Sequence, residues 1–143
     1  MSSTRTILKE NYSDGRAMTN IRILVLNRDG SRQITIRKRV KIDTGFDSGV
    51  HIRESEMSEL SIIGVKATLG SVTLAGNIPA NAHYCLAYLQ QIGEWAFPPP
   101  GMEIVLVFQG SNREGLLGME VLSHWITTFD GPNRSFKIVC PRA

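Results

Sequence analysis

The segment from Gln33 to Ile42 limits what this chain can fold into more than any other stretch. Ile34, Ile36, Val40 and Ile42 occupy alternate positions on one face, while Arg37, Arg39 and Lys41 occupy the other. That period of two belongs to a half-buried strand; a helix would repeat its apolar positions at three and four. Lys38 interrupts the apolar row once. The strand then runs into Asp43-Thr44-Gly45.

The surrounding chain follows the same habit of short apolar runs punctuated by turn residues. Ile21, Ile23 and Val25 alternate with Arg22, Leu24 and Leu26, a strand apolar on both faces for part of its length. Asn27-Arg28-Asp29-Gly30 between it and the basic strand predicts a hairpin. Val50–Ile52 is a short apolar piece. Further strands are expected at Val65–Leu74, interrupted by Gly70-Ser71, and at Tyr84–Ile92, Met102–Phe108, Ile126–Phe129 and Ser135–Cys140. Pro98-Pro99-Pro100 must lie in a loop, because three successive residues lack an N–H. Asp130-Gly131-Pro132-Asn133 reads as a turn.

Helical spacing occurs twice. Ser55 is expected to cap a turn or two reaching Leu60. Between Gly115 and Trp125, Leu117, Val121, Leu122 and Trp125 can share a face. The reading is one mainly β domain over residues 20–143, preceded by a polar segment, residues 1–19, expected to be a flexible arm.

Composition narrows the class of protein. With 143 residues, 42% hydrophobic and 20% charged, the chain can bury a single core without metal or disulfide staples. Its apolar runs, such as Ile104–Phe108, are far shorter than the roughly 20 residues that span a bilayer. Met1–Asn20 lacks the apolar stretch of a secretory signal. Two cysteines, Cys85 and Cys140, make no disulfide framework and are read as free thiols in a reducing, cytoplasmic setting. No membrane partner is expected.

As a bare tripeptide, Asp43-Thr44-Gly45 is an ordinary turn, in which a carboxylate at a strand end is stiffened by a small residue. A second segment changes its meaning. Leu116-Leu117-Gly118-Met119-Glu120-Val121-Leu122 is two apolar residues, a glycine and the start of an amphipathic helix. Together, in this order, the two segments resemble the retropepsin-like aspartic peptidases, especially small single-domain bacterial and archaeal members. There an apolar strand leads into Asp-Thr-Gly, and a later apolar-apolar-Gly segment passes behind the active loop and opens a C-terminal helix. The resemblance runs from about Ile21 to Cys140.

The resemblance implies a closed β-barrel or sandwich with one short C-terminal helix, working as a homodimer and hydrolysing peptide bonds without a cofactor or metal. Asp43 is then the catalytic carboxylate. Thr44 bonds across the dimer axis, Gly45 orients the carboxylate, and Leu117 and Gly118 pack behind the loop. Asp47 matches an acidic position that binds substrate backbone, although the preceding Phe46, in place of a small residue, is expected to narrow the cleft. Some relatives carry Arg where this chain has Met119. Gly70 and Gly76 are the two candidates for the tip of a substrate-covering flap. The alternative within the same resemblance is a weak or inactive dimerisation or peptide-binding module that keeps the fold.

Other chemistries find less support. His51, His83 and His124 share no metal-ligand spacing. Nothing local to Cys85 suggests an activated thiol. The basic strand Arg37–Lys41 has the residue types of a phosphate or nucleic-acid contact, but a solvated sheet face is the simpler account, and the net charge is only +3.

Overall fold

A computed structural model describes residues 4–65, 67–73, 79–110 and 115–141. The alternating segment is strand β3 (Gln33–Ile42), paired antiparallel with β2 (Met18–Leu26) from Met18↔Lys41 to Leu26↔Gln33. Its even-numbered residues point inward and Arg37 and Arg39 point to solvent, as the period of two requires. Lys38, the one charge on the inward face, is ion-paired with Glu56 at the rim of the core. The hairpin between the strands is turned by Gly30, whose φ of +75° only a residue without a Cβ adopts easily.

Around β3 the chain closes a barrel. The order is β2, β3, β9 (Gly115–Leu117), β4 (Val50–Ile52), β8 (Met102–Phe108) and β6 (Pro79–Ile92), and β6 pairs back onto β2. The 14-residue β6 also carries β5 (Thr68–Thr73) and the two-residue β7 (Trp95–Ala96). Two short helices, α1 (Met57–Ile62) and α2 (Met119–Leu122), lie between strands. Among the described residues, no helix is long and apolar enough to cross a membrane.

Residues 4–19 are not the flexible arm expected of them. Thr4–Asn11 is strand β1, which pairs with β11 (Ser135–Pro141), and β11 pairs with β10 (Ile126–Asp130) in a second, three-stranded sheet. The register slips between Thr6 and Leu8, so that the adjacent Ile7 and Leu8 are both buried. A bulge of this kind hides the strand from a search for alternation. Ile7, Leu8, Phe136 and Ile138 belong to the same core as Ile23, Leu89 and Leu106, and the next strand begins at Met18, so no boundary falls near residue 20.

Three smaller expectations also change. Ser55 does not cap a helix; it lies within a 3₁₀ turn (Glu54–Glu56), and its carbonyl accepts from Ser58 Oγ. Helical spacing over Gly115–Trp125 holds only from Met119 to Leu122, because Gly115–Leu117 is recruited into the sheet. Gly70 does not interrupt β5; it pairs with Ala82 in mid-strand.

Candidate functional site

Val40 and Ile42 are buried, and they anchor β3 so that Asp43 emerges at the barrel end, on the first residue after the strand. The chain leaves β3, turns through residues 43–49 and re-enters the sheet as β4. Strand β9 lies between these two consecutive strands, parallel to β3 and antiparallel to β4. It therefore runs directly behind the Asp43 loop.

Backbone bonds stitch the loop to that inserted strand. Asp43 N–H donates to Leu117 O (2.9 Å), Gly118 N–H to Gly49 O (2.8 Å), Met119 N–H to Phe46 O (2.7 Å) and Glu120 N–H to Ser48 O (3.3 Å). Such close approach explains Gly118. A Cβ there would lie 2.2 Å from Ser48 O and 2.6 Å from Phe46 O, distances no real side chain tolerates. The apolar-apolar-Gly segment and the Asp-Thr-Gly turn are thus in direct contact.

Asp43 itself is half-buried. Its Oδ1 accepts the Gly45 N–H at 2.9 Å, closing a turn on the residue two positions ahead. Its Oδ2 is enclosed and has no hydrogen-bond partner among the described residues. An enclosed carboxylate oxygen without a donor is uncommon, because desolvation is then uncompensated. Thr44, Gly45 and Asp47 are exposed around it.

Phe46 does not narrow a cleft. It is fully buried, edge-on to His51 at 6.2 Å between centroids, and clustered with Ala82, Val107 and Leu116. The loop is pinned by this inward aromatic, which leaves its neighbours Thr44 and Asp47 at the surface. Asp47 Oδ1 accepts a long hydrogen bond from Ser48 Oγ at 3.5 Å. Met119 meets the loop through its backbone N–H.

Of the two flap candidates, Gly70 lies inside β5 under Tyr84, whose ring a Cβ would approach to 2.6 Å. Tyr84 in turn packs on the Phe46 cluster, so the β5–β6 pair is joined to the Asp43 loop through side chains. The β5–β6 ladder is described as far as Thr73↔Pro79; Gly76 lies outside the described residues.

Two residues that support the loop went unnoticed in the sequence. Glu120 reaches from α2 to accept the Val105 N–H (2.7 Å), tying the helix to β8. Gly49 sits where a Cβ would be 2.5 Å from Glu120 Oε1 and 2.8 Å from Val105 O. The small pair Ser48-Gly49 directly before an apolar run was the available signal for close backbone approach.

The remaining candidates take structural places. His51 is buried with Nε2 3.0 Å from Gln109 O, and His83 is 3.4 Å from Glu54. Among the described residues, no group of three or more His, Cys, Asp or Glu is placed to hold a metal. Burial pushes the Cys85 thiol up to about 11, which keeps it protonated and poorly nucleophilic at neutral pH. Comparison with protein-family models, with curated proteins and with solved structures finds no match to the chain.

Proposed function

We propose that this protein is an aspartic endopeptidase of the retropepsin-like type, active as a homodimer in which each copy contributes Asp43. The observation that carries this reading is the state of that carboxylate: Oδ1 is oriented by the Gly45 N–H, while Oδ2 is enclosed and unpartnered. The loop presenting it is clamped from behind by β9 and Gly118. Held this way, the carboxylate sits beside the exposed residues Thr44, Gly45 and Asp47, a loop surface on which a second copy can close.

Two copies related by a two-fold axis bring one Asp43 against the other. Carboxylates about 3 Å apart cannot both ionise, so the pair holds one proton. The ionised member takes a proton from a water whose oxygen attacks the scissile carbonyl carbon. The protonated member gives its proton to the carbonyl oxygen, forming a neutral diol intermediate. Collapse of the diol breaks the C–N bond: one hydroxyl proton returns to the dyad, a dyad proton goes to the leaving nitrogen, and acid and amine depart. Thr44, exposed beside Asp43, joins the two loops. Asp47 and the β5–β6 pair hold the peptide.

The test is cleavage of a diverse peptide library from acidic to neutral pH, wild type beside Asp43→Asn. Wild type is expected to cleave best at mildly acidic pH, where the dyad holds one proton, and only as a dimer. Full activity in Asp43→Asn, or a protein that stays monomeric at high concentration, overturns the assignment. No cleavage from a demonstrated dimer leaves the peptide-binding module, the reading that the loosely held Asp47 favours.

A further inference from the structure

The outer face of β2 and β3 carries a feature that the peptidase reading does not use. Arg22 stands directly opposite Arg37 across the ladder, and Asn20 opposite Arg39. Directly opposed residues share a face, so the three guanidinium groups project from the same side of the sheet, and like charges placed this way repel. Among the described residues, none of the three arginines enters an ion pair. The nearby Lys38 does have its carboxylate, Glu56, but on the inward side.

The arginines line a groove of about 370 Å³, completed by Asn20, Gln91 and the backbone at Gly93. Its described lining contains no carboxylate. Arg22 is partly buried, and its Nε is enclosed without an acceptor. Holding a partly buried guanidinium beside a second arginine is unfavourable unless an anion offsets their charge.

We propose that this groove is an oxyanion site for a phosphate group. A guanidinium fork matches the tetrahedral oxygens of phosphate two at a time, and Asn20 and Gln91 add neutral donors. The groove has room for a phosphate together with part of the molecule that carries it. The described lining has no aromatic ring on which a base could stack, so a nucleic acid would gain only its backbone charge there. The site lies along the strand from Asp43 and shares no residue with the dyad, so it stands or falls separately from the proposed peptidase activity.

Calorimetric titration with inorganic phosphate, phosphoserine and adenosine monophosphate tests this, on wild type, Arg22→Gln, Arg37→Gln and, as a control outside the groove, Arg28→Gln. Wild type and Arg28→Gln are expected to bind phosphate alike and to gain thermal stability from it. Each groove variant is expected to bind at least about tenfold more weakly. Without phosphate, Arg37→Gln should melt no lower than wild type, since it removes a like-charge pair; this shows that the loss of binding is not loss of fold. Equal binding of the free ion and both esters supports a free-phosphate site, and tighter binding of one ester supports its phosphate as the ligand. Equal affinity in all four proteins, or no heat at millimolar phosphate, overturns the proposal. Asp43→Asn should bind phosphate as wild type does.

Discussion

Asp29 and Asp43 make the same local turn: the Oδ1 of each accepts, at 2.9 Å, the backbone N–H of the residue two positions ahead, Ser31 in one case and Gly45 in the other. Each is followed within two residues by a glycine. Beyond that they diverge. Asp29 sits at a solvent-exposed hairpin tip, its Oδ1 also accepting from Ser31 Oγ. Asp43 is half-buried, its second oxygen is enclosed without a donor, and a strand from the far end of the chain runs behind its loop. The turn chemistry is therefore not the site. What distinguishes Asp43 is long-range structure that leaves one oxygen unsatisfied and holds the loop still.

The sharpest way to break this comparison is to make the same substitution in both turns. Asp43→Asn is expected to lower peptide cleavage by about 10³-fold or more, the usual contribution of a positioned acid–base group. Asp29→Asn keeps an oxygen that accepts the Ser31 N–H and should leave cleavage unchanged. Equal losses would mean that cleavage reports on folding rather than on Asp43.

The two glycines differ in the same sense. At Gly118 a Cβ would collide with the Ser48 and Phe46 carbonyls, which are backbone and cannot swing away. Gly118→Ala is expected to cost about 3 kcal/mol by urea unfolding, at the upper end of overpacking effects, and to disturb the Asp43 loop. Gly30 has open space around it, and only its positive φ resists a side chain. Gly30→Ala should cost about 1 kcal/mol and leave the loop intact. Comparable losses in both would show that the contact of Gly118 with the loop is not tight.

How much of this was legible in the sequence follows from the range of the interactions. β3 was readable because Ile34, Ile36, Val40 and Ile42 alternate against solvent-facing Arg37 and Arg39, a purely local pattern. Met102–Phe108 was readable from the continuous apolar run Ile104–Phe108, in a strand buried over its second half. β1 was not readable, because its buried residues Ile7 and Leu8 are adjacent across a bulge and its partner β11 lies at the other end of the chain. Gly115–Leu117 was mistaken for helix because a three-residue inserted strand is too short to show a period. Phe46 stood in a segment full of turn residues, and only the fold turns its ring inward. The two halves of the candidate site were each visible as motifs, but their contact depends on β9 entering between β3 and β4, and no local pattern announces that.

The smallest effect probes the Asp29 turn from its own side. Hydrogen bonds from the Ser31 hydroxyl and then the Ser31 N–H hold the Asp29 carboxyl below its ordinary 3.8. The folded hairpin thus releases this proton more readily than the unfolded chain does. By linkage, Asp29 supports the fold above the unfolded value, and that support is lost as pH falls through the folded one. Being fully exposed, it shifts the global stability little. A carboxyl carbon NMR titration should place the Asp29 midpoint below 3.8 and move it upward in Ser31→Ala, which removes the hydroxyl donor but keeps the N–H. A midpoint indifferent to Ser31→Ala would show that the hydroxyl bond contributes nothing in solution. The Asp29 carboxylate would then be held by Ser31 through the N–H alone, as Asp43 is by Gly45, and the difference between the two turns would lie in burial and in the strand behind Asp43.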